Sequence, residues 1–438
     1  MKAHTSKSAI EPERAFILLA VLLVCAGIVL RFIDLGFPEH LTFDEHHFVK
    51  NARNYLSGKA DWNDHPPLGK LLMALSASTL GDQMFSFRLP SALLGCGSIV
   101  AGGFLCRAVF QSNLGGLLAA AFVAADGFLI AYSRTALLDG MLTAVSLATL
   151  LAMTMPGWAP VLLTGLLLGS ALSIKFSAIT LMGPFMGIFV LRVLARSKKF
   201  ESYSRGVSLF GRDVRGSVGE LISVPIALCL MMLVYLSWWS WGLSLAGQDA
   251  SFQAGLDSTQ RLMEHHAKLT EWNHPLLSRW WTWPVPTNPI MLRYDLHAPG
   301  MVRVMTMMGN PLLWWSGVLA AVATLYVAVR QVAVGFAQDA RTSPKQWGPA
   351  WLLLAYVAYL SPWIVTNRDS YIYHYLPAYA ISLVLLGGWI GTFARRQQSR
   401  FLSLIFLCAV TVVSAFYAPV WAQLPLSESA LGLRPLIR

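Results

Sequence analysis

The chain has 438 residues, of which 55% are hydrophobic and only 13% are charged, and its formal net charge is +11. Soluble globular proteins carry about 25% charged residues, so this composition excludes a disordered chain, a nucleic-acid-binding domain and an ordinary soluble enzyme. The sequence predicts a polytopic membrane protein. The five cysteines lie in apolar stretches and form no CxxC pair, which is typical of small buried side chains and argues against disulfides or a zinc site.

Apolar runs of about 20 residues predict membrane-spanning helices. An uncleaved first helix is favoured over a signal peptide, because no small-x-small cleavage site precedes Arg31. No strand-like alternation or internal repeat competes with the helical pattern. The expected fold is all-α, with about eleven transmembrane helices near residues 15–33, 90–110, 114–132, 136–155, 159–174, 176–195, 219–242, 312–330, 349–366, 372–394 and 401–421.

Basic side chains are concentrated in three short loops. They fall in segments 192–218 and 330–348 and in the turn at 395–400. The positive-inside rule assigns these loops to the cytoplasm together with the N-terminus. Counting helices between them then places the C-terminus outside.

Two long polar segments, at roughly 34–89 and 243–311, are predicted to face outward. The chain is therefore divided into an N-terminal transmembrane catalytic region (1–242, including the first outer loop), a second outer loop (243–311) and C-terminal transmembrane helices (312–438). Nearly every unusual polar residue falls on the outer side. We expect the chemistry at that face of a cell membrane.

The first outer segment carries two adjacent carboxylates, Asp44 and Glu45. Thr42 and Glu45 have the spacing of a capping box, which favours a structural role at the start of a helix. A carboxylate near the membrane surface also suits a general base that accepts a proton from an attacking hydroxyl. Both interpretations hold together if Glu45 caps the helix while Asp44 points into a cleft.

Basic residues at the outer helix ends are candidates for binding an anionic headgroup. His65 precedes two prolines that stiffen the chain before Lys70, and lysine is a common phosphate binder. Arg88, Arg134 and Lys175 also lie at outer helix ends, where snorkelling to the surface is the structural alternative. Together Lys70, Arg88, Arg134 and Lys175 form a cationic set able to hold a phosphate.

Two aspartates interrupt apolar helices. Asp126 is predicted about six residues, or about 9 Å, inside the outer end of the third helix, and Asp139 lies a turn inside the fourth. An ionisable side chain near the membrane centre costs about 2.5–3.5 kcal/mol. Both aspartates are therefore candidates for function.

The second outer segment is dense in tryptophan, including Trp272, Trp280, Trp281 and Trp283. An aromatic belt at the membrane interface is the main explanation for such a cluster. Indole faces also stack on sugar rings, so a saccharide site is the functional alternative.

These residues lie in an ordered series of motifs that resembles the protein O-mannosyltransferases, a family of the C-type glycosyltransferase superfamily. The series covers most of the chain, and its order is more specific than any single motif. The motifs are Phe43-Asp44-Glu45-x-His47-Phe48, His65-Pro66-Pro67-Leu68-Gly69-Lys70, Phe87-Arg88-Leu89-Pro90, Asp126-Gly127, Ser133-Arg134-x4-Asp139, Ser173-Ile174-Lys175-Phe176, His274-Pro275, Ser278-x-Trp280-Trp281-x-Trp283-Pro284, Gly309-Asn310-Pro311-x2-Trp314-Trp315 and Tyr373-His374-Tyr375-Leu376-Pro377.

The resemblance implies a membrane enzyme that takes mannose from a polyprenyl or dolichyl phosphate and transfers it, with inversion, to Ser or Thr hydroxyls of proteins on the non-cytoplasmic face. It implies that Asp44 is the catalytic base, with Glu45 beside it. The donor-site candidates are His65, Lys70, Arg88, Asp126, Arg134, Asp139 and Lys175. The candidates on the acceptor or sugar side are Trp280, Trp281, Trp283 and His374.

No cofactor or metal site is expected. The histidine pairs at 46–47 and 265–266 lack HExxH spacing, and no Gly-rich dinucleotide or phosphate loop is present in the sequence. Such a pattern fits an activated sugar carried on a lipid, with membrane lipids, the donor and a protein acceptor as partners.

The second outer segment is short, whereas eukaryotic family members insert a β-trefoil (MIR) domain there. The chain therefore resembles a compact prokaryotic form, and the acceptor stays open. The alternative is a related lipid-phosphate-dependent transferase acting on a lipid or glycan, as the aminoarabinose transferases act on lipid A. A transporter or flippase is disfavoured, because the polar residues cluster at outer helix ends and not at the midplane.

Overall fold

The structure is a computed structural model that describes residues 7–60, 62–198, 207–270, 274–285, 289–337 and 345–434. Trp272 lies outside these ranges, as do parts of the two basic loops at 192–218 and 330–348.

Helices make up most of the fold, as the apolar runs predict. Short 3-10 turns at Phe176–Leu181, Trp280–Thr282 and Ile372–Tyr375 precede or connect them. In chain order the helices are α1 (Lys7–Phe32), α2 (Glu45–Leu56), α3 (Leu68–Leu80), α4 (Met84–Phe110), α5 (Asn113–Ala125), α6 (Gly127–Ser133), α7 (Leu138–Thr154), α8 (Trp158–Ile174), α9 (Met182–Arg196), α10 (Val218–Leu245), α11 (Phe252–Ala267), α12 (Pro311–Ala337), α13 (Gly348–Val365), α14 (Leu376–Ala394), α15 (Gln397–Trp421) and α16 (Glu428–Gly432).

The described residues contain eight helices that are long and apolar enough to cross a membrane, or nine if the bent pair α5 and α6 forms one span. Two further predicted spans coincide with α7 and α8, which have 17 residues each. That length is at the lower limit for crossing a bilayer. The chain is a multi-pass membrane protein, and the count of eleven spans stays a prediction.

The third predicted span is not continuous, because it breaks at Asp126. The Asp126 side chain accepts hydrogen bonds from the amides of Phe128 and Leu129 and so caps α6, which turns 62° away from α5. The other carboxylate oxygen accepts from the Asn310 amide at 2.9 Å and from the Tyr379 hydroxyl at 2.6 Å. The expectation of an aspartate inside a straight helix is therefore wrong. Its four bonds instead fix a helix break.

Two small three-stranded sheets supplement the helices, so the all-α expectation is incomplete. One sheet has the order β2-β1-β5 and the other β3-β4-β6. The alternation of apolar and polar residues that marks a strand is not visible in β3. Bulges after Met291 and Leu296 interrupt it, and the charged side chain of Arg293 faces inward. The strands are β1 (Val207–Leu209), β2 (Arg212–Asp213), β3 (Ile290–Ala298), β4 (Met301–Met307), β5 (Lys345–Gln346) and β6 (Leu426–Ser427).

Each sheet joins segments that the sequence predicts on the same side of the membrane. The β1–β5 pairing joins the two basic loops, and the β4–β6 pairing joins the second outer segment to the C-terminal segment. Gly211, in the basic sheet, lies against Gln111 beyond the C-terminal end of α4, whereas Arg88 lies near the N-terminal end of the same helix. The 27 residues of α4 span about 40 Å. The basic loops and the candidate site thus occupy opposite ends of the bundle.

Candidate active site

The turn that leads into α2 places two adjacent carboxylates in different environments. Phe43 adopts a left-handed conformation with φ of 52°, which a non-glycine residue rarely takes unless the surrounding structure enforces it. Asp44 follows in the turn, and Glu45 is the first residue of α2. The Glu45 residue is 1% exposed, whereas Asp44 is half-buried.

Glu45 is surrounded by hydrogen-bond donors. Arg88 Nε donates to Oε1 at 2.9 Å and Arg88 Nη2 to Oε2 at 3.0 Å. Arg293 Nη2 and the Ala136 amide each donate to Oε1 at 2.9 Å. Burial disfavours the ionised form, but the charges of Arg293 and Arg88 outweigh it and hold the pKa of Glu45 at about 2. Glu45 is therefore an ionised anchor that joins α2, α4, β3 and the turn before α7.

Only one of the two hydrogen bonds of the expected capping box is present between Thr42 and Glu45. The Thr42 amide donates to Glu45 Oε2 at 3.1 Å, but the Thr42 hydroxyl donates to the same oxygen at 3.0 Å and does not cap a helix amide. Arg293 Nε donates to that hydroxyl at 2.6 Å. Thr42 consequently ties the entry of α2 to β3.

Asp44 has no comparable partners. No residue in the described ranges donates a hydrogen bond to its carboxylate. Burial raises the pKa of Asp44 above its ordinary value, while His47 and Lys175 oppose the rise and Asp139 adds to it. A carboxylate with open lone pairs and a raised pKa suits a general base.

A buried ion pair faces Asp44. Lys175 Nζ donates to both oxygens of Asp139, at 2.8 and 3.0 Å. The same ammonium lies 5.2 Å from the centre of the Tyr373 ring, a cation–π contact. The phenol of Tyr373 is within electrostatic reach of both Asp44 and Asp139. Asp44, Asp139, Lys175 and Tyr373 therefore form one cluster of acidic and basic side chains.

Lys70 and His65 line the neighbouring wall. Lys70 is completely buried in the first turn of α3, and its ammonium donates to Asn63 Oδ1 and to the carbonyl of His65, each at 2.5 Å. The His65 ring lies between Phe48 and His266, at 5.9 and 5.4 Å between ring centres. Burial lowers the pKa of His65 well below its ordinary value, and the positive charges of Lys175 and Lys70 add to this effect. His65 is therefore a neutral side chain.

The expected cationic set is divided between two regions. Lys175 lies in the cluster around Asp44, and Lys70 lies beside His65. Arg88 is instead bound to Glu45 and to the carbonyls of the 35–40 loop. Arg134 donates to the carbonyls of Leu30 and Asp34, at 2.7 and 3.5 Å. Arg88 and Arg134 thus hold the loop that presents Asp44 and do not gather with the two lysines around one ligand.

The four aromatic candidates on the acceptor or sugar side differ in burial. Trp283 is completely buried, and its ring packs against Trp363 and His374. His374 stacks on Trp363 at 3.9 Å, and its Nδ1 accepts a hydrogen bond from the Tyr371 amide. Both side chains are packing elements behind the site. Trp280 is half-buried and Trp281 is 58% exposed, so a role of these two in sugar or acceptor binding stays a prediction.

The structure adds residues that spacing arguments did not single out. Arg293 bonds to Glu45 across 248 positions of sequence, and Arg368 and His266 enter the site from two later segments. Tyr373 begins the Tyr373-His374-Tyr375-Leu376-Pro377 motif, and the aromatic residues around it are the sequence signal that could have marked it. Across the described ranges, no group of three or more His, Cys, Asp or Glu side chains is placed to bind a metal ion.

Three family models match the chain in succession. Residues 21–84 and 64–210 match models described as dolichyl-phosphate-mannose-protein mannosyltransferase. Residues 251–434 match the C-terminal four-transmembrane region of protein O-mannosyltransferase. The chain belongs to the protein O-mannosyltransferase family. It is a membrane glycosyltransferase, as the motif series predicts.

Full-length relatives are found in mycobacteria. A polyprenol-phosphate-mannose–protein mannosyltransferase of Mycobacterium tuberculosis is 25% identical over 94% of this chain and 89% of its own length. A protein of the same name from Mycolicibacterium smegmatis is 23% identical over 97% of this chain and 93% of its own length.

Solved structures share the fold. A chain of the Saccharomyces cerevisiae Pmt1–Pmt2 protein O-mannosyltransferase complex, bound to its sugar donor, aligns with a TM-score of 0.76 at 14% identity over 95% of this chain and 91% of its own. ArnT of Cupriavidus metallidurans, bound to undecaprenyl phosphate, aligns with a TM-score of 0.54 at 16% identity over 91% of this chain and 64% of its own. The C-type glycosyltransferase fold expected from the motifs is confirmed.

Proposed function

We propose that this protein transfers mannose from a polyprenyl or dolichyl phosphate to Ser or Thr hydroxyls of proteins, with inversion at the anomeric carbon. The observation that carries the proposal is the unpaired, half-buried Asp44 beside the Asp139–Lys175 pair. Similarity along nearly the whole chain to mycobacterial relatives named for this donor and acceptor supports it.

Asp44 is the general base. Its carboxylate accepts the proton of the acceptor hydroxyl, and the hydroxyl oxygen attacks C1 of mannose from the face opposite the carrier. The bond between C1 and the phosphate oxygen breaks, and its electron pair leaves with the lipid phosphate. Positioned bases of this kind contribute about 10²–10⁴-fold to rate.

Lys175 and Lys70 stabilise the charge that develops on the leaving phosphate. Asp139 fixes the direction of the Lys175 ammonium through two short hydrogen bonds, and the Tyr373 ring packs against it. Lys70 is fixed in the same way by Asn63 and the His65 carbonyl. Such pre-oriented charges stabilise a transition state without reorganising during the reaction.

The reaction is proposed to need no cofactor or divalent ion and to take place on the periplasmic face of a cell membrane. Glu45 and Asp139 are both bound to cationic side chains, which leaves Asp44 as the available carboxylate of the cluster. The separation of the site from the basic loops along α4 supports the outer location.

The test incubates the purified full-length protein with radiolabelled polyprenyl-phosphate mannose and a Ser/Thr-rich peptide, with and without EDTA. We expect labelled glycopeptide at the same rate in both samples. Omitting the peptide is the control for hydrolysis of the donor. No glycopeptide, together with labelled product from a lipid acceptor, would replace this proposal by the lipid-modifying alternative. The fold likeness to ArnT is weaker than that to the Pmt1–Pmt2 chain, with TM-scores of 0.54 and 0.76.

A further inference from the structure

A cavity of about 380 Å³ lies at the end of the bundle opposite the candidate active site. It is lined by the start of α1, by the turn between α4 and α5, and by the turn between α14 and α15. Gln111, in its wall, also lies against Gly211 of the basic sheet. The cavity is therefore on the side that the positive-inside rule assigns to the cytoplasm.

Two arginines line this cavity from the turn between α14 and α15. Arg395 Nη2 donates to the Gln111 carbonyl at 3.3 Å, and Arg400 Nε donates to the Ala394 carbonyl at 3.2 Å. A guanidinium carries several N–H donors, and each of these bonds engages only one of them. The other N–H groups of both arginines have no acceptor among the described residues, so they are available to a ligand.

The two positive charges are not neutralised by neighbouring side chains. Neither arginine forms a salt bridge within the described ranges, and no described acidic side chain lines the cavity. Other arginines of this end are paired, since Arg192 contacts Glu220 and Arg215 contacts Asp213. Uncompensated guanidinium groups form charge-assisted hydrogen bonds to phosphate oxygens. Charge complementarity therefore favours an anionic occupant.

Apolar surface continues from the cavity along two helices. Ile17 and Leu18 of α1 and Phe401 and Leu402 of α15 are exposed, and each pair directly follows a lining residue in the sequence. The helices α1 and α15 pack together, and both run from this end of the bundle into the membrane-spanning region. A free anion would use the arginines alone, whereas a phospholipid would also cover this apolar surface. The occupant that fits both features is an anionic lipid.

We propose that this cavity binds the phosphate headgroup of an anionic phospholipid, whose acyl chains lie along α1 and α15. The phosphate oxygens accept from Arg395 and Arg400, and the Asn113 side chain at the start of α5 lines the same space. Cavities of about 300–1,000 Å³ are typical of small-ligand sites. Basic pockets between transmembrane helices on the cytoplasmic side bind lipid headgroups. The site is separated from the candidate active site by the length of α4, about 40 Å, and does not depend on the proposed function.

The test measures binding of short-chain lipids to the purified full-length protein by calorimetry. The probes are dihexanoyl phosphatidylglycerol, its zwitterionic counterpart dihexanoyl phosphatidylcholine, and glycerophosphoglycerol, which is the anionic headgroup without acyl chains. Phosphatidylglycerol should bind about 10-fold more tightly than either of the other two. Equal affinity for the two lipids would overturn the preference for an anion. Equal affinity for phosphatidylglycerol and glycerophosphoglycerol would replace the lipid by a soluble anion.

Variants of the two arginines assign the binding to the cavity. R395Q and R400Q should each weaken binding of phosphatidylglycerol by about fivefold, and the double variant by about 25-fold. R330Q is the matched control, because Arg330 is an exposed arginine near the end of α12 that does not line the cavity. It removes the same charge and should bind as the wild type does. R395K and R400K preserve the charge and should each lose no more than about twofold.

Thermal unfolding separates loss of the site from damage to the fold. Without lipid, the variants should unfold at the wild-type temperature, because Arg395 is exposed and Arg400 is half-buried. Phosphatidylglycerol should raise the unfolding temperature of the wild type and of R330Q, but not that of the double variant. An equal rise in the double variant, or wild-type affinity in it, would contradict the inference. If the double variant does not fold, wild-type affinity in both single variants would do so.

Discussion

Asp44 and Glu45 are neighbours in sequence but belong to two different regions of the site. Glu45 receives hydrogen bonds from two arginines, an amide and Thr42, and its pKa is held at about 2. Asp44 accepts none from the described residues, and burial raises its pKa. A carboxylate saturated with donors stabilises the fold, whereas one with open lone pairs is available to a substrate proton. Within this dipeptide, Glu45 therefore stabilises the fold and Asp44 is available for catalysis.

The basic residues divide in the same way. Arg88 and Arg293 neutralise Glu45, whereas Lys175 pairs with Asp139 and Arg368 lies within electrostatic reach of that aspartate. Removing a member of the first group should reduce stability. Removing a member of the second should reduce donor binding or turnover while the fold persists.

The largest expected effect on stability is that of E45Q. The substitution leaves Arg88 and Arg293 buried without their counter-charge, and breaking a buried ion pair in this way costs about 3–5 kcal/mol. The measurement is denaturant or thermal unfolding of the purified protein. E264Q is the control, because Glu264 is exposed on α11, and it should change stability by less than about 0.5 kcal/mol.

The same variant has a pH signature. The folded-state pKa of Glu45 is lowered, so its contribution to stability is complete above about pH 4.5 and is lost as the pH falls towards 2. The stability of E45Q should fall less steeply over that interval. Equal stability of E45Q and the wild type at pH 7 would contradict the anchoring role.

A smaller effect is expected from H47Q, which sharpens the assignment of the base. His47 opposes the rise in the pKa of Asp44 that burial causes, together with Lys175 and His274 and against Asp139. Removing His47 should raise the pKa of Asp44 further. The base works in its deprotonated form, so the acidic limb of the transfer rate should move to higher pH, by about one unit or less.

The control for this shift is H46Q, altered at the neighbouring exposed histidine. Its pH profile should coincide with that of the wild type. An acidic limb that stays in place in H47Q, or moves to lower pH, would remove Asp44 from the role of base.

The sequence alone predicted the membrane fold, the family and the clustering of polar residues at one end of the bundle. Apolar runs predict helices directly, and an ordered series of motifs indicates a family. The partners of Glu45 could not be predicted, because Arg293 is 248 residues away and no local spacing encodes that contact. The helix break at Asp126 was missed because the apolar pattern continues on both sides of it. The side-chain capping bonds of Asp126, which end one helix and start the next, leave no mark in that pattern.

Arg368 was missed for a related reason. It lies beside Asp369 in a short loop, and bonds to the distant residues Leu269 and Ser278 bring that loop to the site. Trp283 shows the opposite case, because its residue type suits a sugar site while packing buries it, whereas a role of Trp280 and Trp281 stays a prediction. Residue type indicates possible chemistry, and long-range contacts decide which side chains remain available for it.

The most direct test of the account is a single-turnover experiment with D44N. Wild-type and variant protein are loaded with radiolabelled polyprenyl-phosphate mannose, freed of excess donor and mixed with a Ser/Thr peptide. D44N should bind the donor and unfold as the wild type does, but it should transfer mannose about 10²–10⁴ times more slowly. Transfer by D44N at the wild-type rate would contradict the assignment of Asp44 as the base.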